Sequence, residues 1–533
     1  MPGLCGFLAQ GPEDSSQRLQ PVLEALVHHP SHQILAAFSD GKIVAGQVLW
    51  QTGRGGIHWQ GPRGTQIWID GEAFNETGPI PLEELVMELS QGVLKPLNGS
   101  FSAVVYLPEA EEIRFITDPY GLKYLYVRTE GAPAWCSEQK SFCELPGPPL
   151  RFNPDCLREN LDYGHPLGNK TWFLGIELLD PGLILTYDLK SGRWNRQRYF
   201  QLARQEPQSP VPTWDSAVRK LGGLFRKAVT RRSSDDPRIG LTLSGGLDSR
   251  AILAALPPEI ATPETVTFGQ AGCADALLAK TVCAVRGAHN TFVPLGGTGW
   301  LEKREKDVRL TDGQINILHL HGLESLPAIE GLMDVDLNGF LGDALLGGSY
   351  LEGEGFPFLE RYLNRGRRFI LQALHYGGTR VIYRLPFLDL SLLKYTLSLP
   401  RSWLSRSRIY RAMLLQEFPE YYRSIAWEKT GLPISTSWGR ERLAAWVRRI
   451  HRLLGRRRTG YTDYATWLRE GSAAEFLRSY LESPDTILYD FVAKDIVEER
   501  LRSHFQGIDE SEMLGRYLTA EIWLRFLRVK KIV

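Results

Sequence analysis

The sequence lacks a charge excess of either sign. Its 533 residues include 62 lysines and arginines and 61 aspartates and glutamates, which gives a formal net charge of +1. A protein that attracts nucleic acid or an anionic membrane through its overall field needs a clear basic excess, so we expect neither partner. Apolar runs of about 18 residues are missing, as is a basic N-terminal segment before an apolar run. We therefore expect neither a membrane span nor a signal peptide.

The sequence also lacks paired cysteines. Its six cysteines form no CxxC motif and no ladder of short spacings. This usage is typical of free thiols in a reducing compartment, so we expect a cytoplasmic protein. The chain length favours two to four domains, at about 100–200 residues for each domain.

Short strand-like runs dominate the first 200 residues. The segments ILAAFSD, TQIWIDG, FSAVVYL and IRFITD are apolar or alternating and lie between turn residues. They predict stacked sheets with few long helices, in a first domain at 1–204. The stretch RQEPQSPVP at 204–212 has three prolines and no apolar periodicity, so it predicts a linker. The second domain is then expected at 213–533.

Strands and helices alternate after the linker. Thr213 is expected to cap a helix with Val218, Leu221, Phe225 and Ala228 on one face. The runs RIGLTL, ETVTF and HNTFVPL predict buried strands, separated by helices in SGGLDSRAILAAL and DALLAKTVCAVRG. This alternation predicts an α/β domain with a doubly wound parallel sheet of right-handed βαβ units and a mostly helical C-terminal part.

The stretch LTLSGGLDSR predicts a phosphate-binding loop. A strand ends at Leu243, two glycines follow, and a helix begins near Asp248. Glycines bring backbone N–H groups close to a ligand, and a helix N-terminus adds unpaired donors, to which Ser244 and Ser249 add hydroxyls. Asp248 would repel a bare anion but could hold Mg²⁺ that binds the phosphates. A ligand-free Gly-Gly turn is the alternative, and the paired serines favour the phosphate site.

The loop SGGLDS resembles the SGGxDS pyrophosphate loop of enzymes that form acyl-adenylates, and nearly the whole chain resembles the asparagine synthetase family. The resemblance implies a second domain of the ATP pyrophosphatase (PP-loop) type, ATP and Mg²⁺ as cofactors, and carbon–nitrogen ligase activity with release of AMP and pyrophosphate. TFGQAGCADALLAKTVCAVRGAH is similar to the family segment whose strand backbone contacts adenine. The residues that would bind ATP and pyrophosphate are Leu243, Ser244, Gly245, Gly246, Leu247, Asp248, Ser249, Val266, Phe268 and Gly342.

Two further motifs carry the resemblance. NGFLGDALLGG is similar to the family's GEGxDExxGG segment, which places Asp343 at the second magnesium aspartate, beside Asp248. AWEKTGLP places Lys429 at the catalytic lysine, and RLPFLDLSLLKYTLSLP resembles the R-x-PFLD segment. Two carboxylates can bracket Mg²⁺ on the phosphates, and a lysine can neutralise charge that develops in the reaction. Without the resemblance, Asp343 could be a turn residue and Lys429 a surface lysine.

The first domain resembles a class II glutamine amidotransferase, which implies an Ntn-type αββα sandwich. IDGEAFN, LNGSFSAVVY and TDPYGLKYLYV are similar to family motifs, but three departures concern the chemistry. Cys5 is not N-terminal, Asp70 replaces an asparagine of the oxyanion hole, and GQVLWQT lacks the arginine that grips glutamine. A carboxylate repels a developing oxyanion. We therefore expect a domain without glutaminase activity that serves as structure.

The substrate side of the synthetase site also departs from the family. Phe340 stands where asparagine synthetases have a glutamate and β-lactam synthetases a tyrosine of the base dyad, and Phe cannot move a proton. TDGQINILHLHG offers His319 and His321 as substitutes. Two residues apart on a helix, they face different sides, so at most one is expected in the substrate pocket. A packed or surface histidine is the more ordinary outcome for each.

The choice of amine separates three possible functions. Without an ammonia supply, an amine in the same substrate molecule is favoured, since proximity can contribute about 7–11 kcal/mol. β-Lactam synthetases and lasso-peptide macrolactam cyclases work in this way. AWEKTGLP, TDG…HLH and YTDYATWLRE are similar to the cyclases, which implies a precursor core peptide as substrate and a leader-peptide protease or recognition protein as partner. Asparagine synthesis and a β-lactam synthetase-like small-molecule cyclisation remain alternatives.

The run WVRRIHRLLGRRR at 446–458 is strongly basic. Trp446, Ile450 and Leu453 recur at helical spacing within it. It predicts a helix with a solvated cationic face.

Overall fold

The computed structural model of the chain describes residues 3–9, 11, 16–52, 55–92, 94–203, 210–235, 238–350, 358–453 and 459–533. Most of the expected linker at 204–212 and the end of the basic run at 454–458 lie outside these residues. Within the described residues, no helix has the length and apolar character needed to cross a bilayer.

Antiparallel sheets make up the first part of the chain. Its strands are β1 (Gly3–Leu8), β2 (His32–Ile34), β3 (Phe38–Ser39), β4 (Ile43–Trp50), β5 (Gly56–Gln60), β6 (Gln66–Phe74), β7 (Asn98–Leu107), β8 (Glu112–Thr117), β9 (Tyr126–Arg128), β10 (Ala134–Cys136), β11 (Ile176–Leu178), β12 (Leu183–Asp188) and β13 (Arg193–Arg198). One sheet has seven strands in the order β11-β9-β10-β1-β4-β2, with β3 beside β4. The other has six strands in the order β13-β12-β8-β7-β6-β5.

The two sheets pack face to face between helices. Their helices are α1 (Ser16–Ala25), α2 (Leu82–Ser90) and α3 (Pro154–Tyr163), with 3₁₀ turns at Pro62–Gly64 and Lys140–Cys143. Leu4 and Trp68 belong to one buried cluster between the sheets. Ile67 and Ile69, on the opposite face of β6, pack instead with α2. Because successive strand residues face opposite sides, this alternation builds the layers. The αββα sandwich expected for this part is therefore what the described residues form.

A five-stranded parallel sheet organises the second part. Its strands are β14 (Ile239–Thr242), β15 (Glu264–Gly269), β16 (His289–Pro294), β17 (Val335–Leu337) and β18 (Ile382–Arg384), in the order β16-β15-β14-β17-β18. The first three strands coincide with the predicted apolar runs, so the parallel sheet is confirmed. The strand order reverses between β14 and β17. In such sheets ligands bind at this switch point, beyond the carboxyl ends of the strands.

Helices surround the parallel sheet and form the C-terminal part. They are α4 (Trp214–Arg231), α5 (Asp248–Ala255), α6 (Ala274–Arg286), α7 (Glu305–Leu310), α8 (Leu326–Leu332), α9 (Gly342–Leu345), α10 (Phe358–Arg361), α11 (Leu371–Gly377), α12 (Leu390–Ser398), α13 (Arg401–Leu404), α14 (Arg408–Glu417), α15 (Pro419–Tyr422), α16 (Trp438–Leu453), α17 (Tyr464–Trp467), α18 (Gly471–Leu481), α19 (Lys494–Phe505) and α20 (Ser511–Val529). Shorter 3₁₀ segments lie at Glu302–Arg304, His319–Ser325, Pro386–Leu388, Ser405–Ser407 and Ile487–Asp490, and a π-helix at Tyr362–Ile370.

The helix predicted after the linker is confirmed as α4. The Thr213 side chain accepts a hydrogen bond from the Ser216 N–H and so satisfies a free donor of the first turn. The predicted apolar face is buried. In the basic run, α16 extends to Leu453, and Trp446 is exposed.

Charged side chains join the two parts of the chain. Arg384, at the end of β18, donates two hydrogen bonds to the Glu72 carboxylate on β6, at 2.8 and 2.9 Å. It also donates to Asp235 at 2.7 Å. Arg367, in the π-helix, donates to carbonyl oxygens of Gly121 and Leu179. Both guanidinium groups are buried, so this junction is a specific interface and not a loose tether.

Candidate functional site

The loop between β14 and α5 is stabilised by its own hydroxyls. The Ser244 N–H donates to the Ser249 Oγ at 3.1 Å, and the two hydroxyl oxygens lie 3.2 Å apart. The Gly246 N–H donates to the Ser244 Oγ at 3.2 Å. A side chain at Gly245 would lie 2.9 Å from the Glu428 Cβ, so only glycine fits. The predicted phosphate loop therefore has the tight turn and the paired serines that the sequence indicated.

Asp248 and Asp343 meet at the switch point of the sheet. The Asp343 N–H, in the first turn of α9, donates to the Asp248 Oδ2 at 2.8 Å. The close approach requires glycine next to it, because a Cβ on Gly342 would lie 2.4 Å from the Asp248 Cγ. Burial, with a smaller contribution from the Asp343 carboxylate, raises the pKa of Asp248 to about 7. The Asp343 side chain itself is exposed.

The donor set at this point fits a magnesium ion held with phosphates. No group of three or more His, Cys, Asp or Glu side chains suited to a metal occurs among the residues that the structure describes. Mg²⁺ commonly binds one or two carboxylates and completes its shell with water and phosphate oxygens. Asp248 and Asp343 supply two such carboxylates, and a cation there would offset the cost of ionising the buried Asp248.

Lys429 lies in a loop that contacts the phosphate loop. The N–H of its neighbour Glu428 donates to the Gly245 carbonyl at 3.2 Å. Lys429 itself is exposed, with its Nζ 5.3 Å from the centroid of the Trp427 ring. The structure therefore brings the Lys429 loop to the edge of the phosphate loop, with the ammonium group accessible to a ligand.

The two residues expected near adenine differ in accessibility. Val266, on β15, is fully buried, and its carbonyl accepts a hydrogen bond from the Leu243 N–H at 2.9 Å. Phe268, further along the strand, is half-buried, with its ring centroid 5.8 Å from that of Tyr461. The Val266 side chain is thus enclosed in the protein core, and Phe268 has the more accessible ring at this strand end.

The three candidate substrate-pocket residues do not form one cluster. The Phe340 side chain is buried in the main core. His319 is exposed, with its Nε2 3.4 Å from a Glu512 carboxylate oxygen of α20. His321 is fully buried against Trp300, with ring centroids 4.6 Å apart. The two histidines face different surroundings, as their spacing predicted, and none of the three hydrogen-bonds the phosphate loop within the described residues.

Burial sets the charge of His321. Burial, with a smaller contribution from the nearby Arg304, lowers the pKa of the imidazole to about 4. His321 is therefore neutral near pH 7 and packs as an aromatic ring. Its pKa and surroundings match those of a packed core histidine.

Sequence reasoning missed three side chains that hold the loop. The Tyr410 hydroxyl donates to the Asp248 Oδ1 at 2.8 Å. The Asp275 Oδ1 accepts from the Gly245 N–H at 2.7 Å, and Arg250 donates to the Gly245 carbonyl at 3.1 Å. Arg250 and Asp275 lie within the segments SGGLDSRAILAAL and DALLAKTVCAVRG, so their positions in the sequence were a local signal for contacts with the loop. Tyr410 lies 162 residues from Asp248, and no local pattern pointed to it.

The residues of the expected glutaminase pocket are buried in the first part of the chain. Cys5 lies in the middle of β1 between two strands, is fully buried, and has its thiol pKa raised by burial. The buried Asp70 carboxylate is paired with the Lys123 Nζ at 3.2 Å. Gln47 lies in the segment that lacks the expected arginine, and its amide donates to the Ile69 carbonyl at 2.6 Å. A buried protonated thiol is a poor nucleophile.

A cavity lies between this pocket and the parallel sheet. Gly71, Glu72 and Lys123 line it from the first part, and Arg384 and Leu385 from the second. The lysine and the two arginines in its wall, Lys123, Arg232 and Arg384, are each paired with a carboxylate, so the cavity offers mainly neutral surface.

Comparisons with known proteins agree with the two-part architecture. The glutamine amidotransferase domain family matches residues 81–200, and the asparagine synthase family matches residues 220–348. The chain is 30% identical over 170 residues to the glutamine-hydrolysing asparagine synthetase 3 of Bacillus subtilis (strain 168), covering 32% of this chain and 27% of that protein. Asparagine synthetase 2 of the same strain is 26% identical over 178 residues, covering 32% and 24%.

Solved structures add little to this relation. The glutamine phosphoribosylpyrophosphate amidotransferase from B. subtilis covers 54% of this chain and 81% of its own, at 13% identity and a TM-score of 0.26, too low to support an argument. The chain spans about a quarter of the length of the curated relatives that it matches. Residues 220–348 are thus similar to asparagine synthases, and residues 81–200 are similar to glutamine amidotransferase domains.

Proposed function

We propose that the protein is an ATP-dependent carbon–nitrogen ligase that activates a carboxylate as an acyl-adenylate and transfers the acyl group to an amine. The observation that carries this proposal is the contact between Asp248 and Asp343 at the end of the phosphate loop. A loop of glycines and serines, the Asp248 carboxylate with Asp343 hydrogen-bonded to it through its N–H, and an accessible lysine form a set suited to a magnesium-bound polyphosphate. The matched relatives are named as asparagine synthetases.

Each residue has a separable part in the proposed mechanism. The hydroxyls of Ser244 and Ser249, with the Gly246 N–H, would bind pyrophosphate oxygens and hold the leaving group in line. Asp248 and Asp343 would hold Mg²⁺, which when bound neutralises charge on the phosphates. Lys429 would stabilise negative charge that develops as the acyl carbon is attacked.

The changed glutaminase pocket bears on the source of the amine. A buried Cys5 thiol and a lysine-paired Asp70 carboxylate do not suit glutamine hydrolysis. We therefore propose that the amine belongs to the substrate, and that the product is a macrolactam of a lasso precursor peptide. A leader-peptide protease or recognition protein would then be a partner.

Pyrophosphate release tests the ligase proposal. We expect the purified chain with ATP, Mg²⁺ and a linear core peptide to release pyrophosphate and AMP, and to give a product lighter than the peptide by one water. Asp343→Asn, which keeps the shape of the side chain, should lower the rate by about 100-fold or more. Asp334→Asn, an aspartate before β17, is the matched control and should leave the rate unchanged. Equal rates in wild type and Asp343→Asn would contradict the proposal.

Asparagine synthesis is the second candidate, favoured by the names of the matched relatives. It predicts asparagine from aspartate with ammonia or glutamine, and for the glutamine reaction an N-terminus trimmed to Cys5. The same pyrophosphate assay with aspartate and ammonium separates the candidates, and mass spectrometry of the purified chain detects trimming. Pyrophosphate release with aspartate and none with peptides would favour this candidate.

A further inference from the structure

Arg250 lies directly beneath the phosphate loop. It belongs to the first turn of α5, and its side chain is fully buried. One end of its guanidinium group donates to the Gly245 carbonyl at 3.1 Å and to the Ala426 carbonyl at 2.8 Å. The other end lies 3.4 Å from the Tyr421 carbonyl. A single buried cation therefore connects the phosphate loop with the segment that leads to Lys429.

The charge of Arg250 is not balanced by a carboxylate. Its hydrogen bonds all go to carbonyl oxygens, and no ion pair involves it within the described residues. Burying an unpaired charge is costly unless hydrogen bonds or a counter-charge offset it. Arg128, in β9, is also buried on carbonyl oxygens, so the bonding alone is not unusual. What distinguishes Arg250 is its contact with the predicted phosphate loop.

The hydrogen bond to the Gly245 carbonyl brings the charge of Arg250 next to a peptide group of the phosphate loop. The Gly245 carbonyl and the Gly246 N–H belong to one peptide group and point in opposite directions, and the Gly246 N–H donates to the Ser244 Oγ at 3.2 Å. A cation on the carbonyl polarises that peptide and makes its N–H a stronger donor. The same carbonyl also accepts from the Glu428 N–H, so the loop and the Lys429 segment share one acceptor.

We propose that Arg250 is a positioning residue for pyrophosphate binding. It acts by its charge and by its hydrogen bonds to the phosphate loop and to the Lys429 segment. The proposal rests on the ligase function and adds the source of the loop's affinity for the leaving group. It predicts that Arg250 governs binding of the pyrophosphate moiety and not of the adenosine moiety, because its contacts lie under the loop and not at the Phe268 end of β15.

Equilibrium binding of two ligands tests this proposal. Inorganic pyrophosphate with Mg²⁺, and separately adenosine, are titrated into wild type, Arg250→Lys, Arg250→Gln and the control Arg128→Gln by calorimetry. We expect pyrophosphate affinity to fall about tenfold or more in Arg250→Gln, which loses the charge, and about threefold in Arg250→Lys, which keeps it. Adenosine affinity should stay within about twofold in every variant, as should pyrophosphate affinity in Arg128→Gln.

Each alternative result has a distinct meaning. Wild type that binds neither ligand contradicts the ligase function and this inference with it. If Arg250→Gln binds pyrophosphate as tightly as wild type does, the inference is overturned but the ligase function is not. An equal loss of affinity in Arg250→Lys and Arg250→Gln also overturns the inference, because Arg250 would then act only through its shape and hydrogen bonds. If circular dichroism shows that Arg250→Gln is unfolded, Arg250→Lys decides: a loss of about threefold for pyrophosphate alone supports the inference, and an equal loss for pyrophosphate and adenosine overturns it.

Discussion

Tyr410 illustrates how a single hydroxyl can orient a functional carboxylate. It donates to one oxygen of Asp248, while the other oxygen accepts from the Asp343 N–H, both at 2.8 Å. The two bonds fix the carboxylate plane and leave the remaining lone pairs to face the loop. In the proposed mechanism these lone pairs meet the metal ion.

Tyr410→Phe should therefore weaken magnesium-nucleotide binding without unfolding the chain. We expect pyrophosphate release to slow about tenfold and the KM for Mg-ATP to rise, because one of the two orienting bonds is lost. Steady-state kinetics over a range of Mg²⁺ concentrations measure this effect. The matched control is Tyr395→Phe, since the buried Tyr395 hydroxyl has no hydrogen-bond partner among the residues that the structure describes. Equal KM values for Mg-ATP in wild type and Tyr410→Phe would show that the Tyr410 hydroxyl does not orient the Asp248 carboxylate.

At the scale of single elements, α9 depends on the absence of a side chain at its first residue. The helix has one turn, begins at Gly342, and places Asp343 against Asp248. Leu341 before it adopts a left-handed conformation, with φ of 64°. A non-glycine residue there is uncommon, and such strain occurs where the surrounding structure enforces it. The short helix is thus held by its contact with α5 and not by its own propensity.

Gly342→Ala should separate the two aspartates. The added Cβ would lie 2.4 Å from the Asp248 Cγ, so one of the carboxylates must move. A displacement of about 1 Å in a reacting site can cost about 100-fold in rate, and we expect a loss of that size in pyrophosphate release. Gly331→Ala, near the end of α8 with open space around its Cβ, is the control and should keep wild-type activity. A fully active Gly342→Ala would refute the contact as a functional feature.

At the scale of the whole molecule, the junction at Arg384 couples the two parts of the chain. Its buried guanidinium binds two carboxylates, one from each part. Removal of one partner from a buried ion pair leaves the others uncompensated, which typically costs about 3–5 kcal/mol. The first part of the chain therefore contributes to the stability of the second.

Arg384→Met should lower the unfolding temperature and separate the unfolding of the two parts. We expect a loss of about 3 kcal/mol and a broader or two-step transition in calorimetry, because the half-buried Glu72 loses its partner. Arg63→Met provides the control, since Arg63 and Glu109 form an exposed pair whose loss should cost at most about 1 kcal/mol. A single unshifted transition in Arg384→Met would contradict the coupling.

The local sequence determined the turn of the predicted phosphate loop, the alternation of strands and helices in the second part, and the positions at which the first part departs from the glutamine amidotransferase motifs. Turns, caps and apolar periodicity depend on neighbours within a few residues, so they can be interpreted from the sequence directly. The pairing of Asp248 with Asp343 also follows from topology, because both residues come after strands that flank the switch point.

Only the tertiary structure decided which side chains surround that pair. Tyr410, Arg250 and Asp275 complete the loop, and His321 packs in an aromatic core while His319 meets α20. Some of these contacts join segments that are more than a hundred residues apart, and no periodicity in the sequence indicates which segments meet. The physical reason is that burial and pairing depend on how whole elements pack, whereas a motif records only the backbone conformation around it.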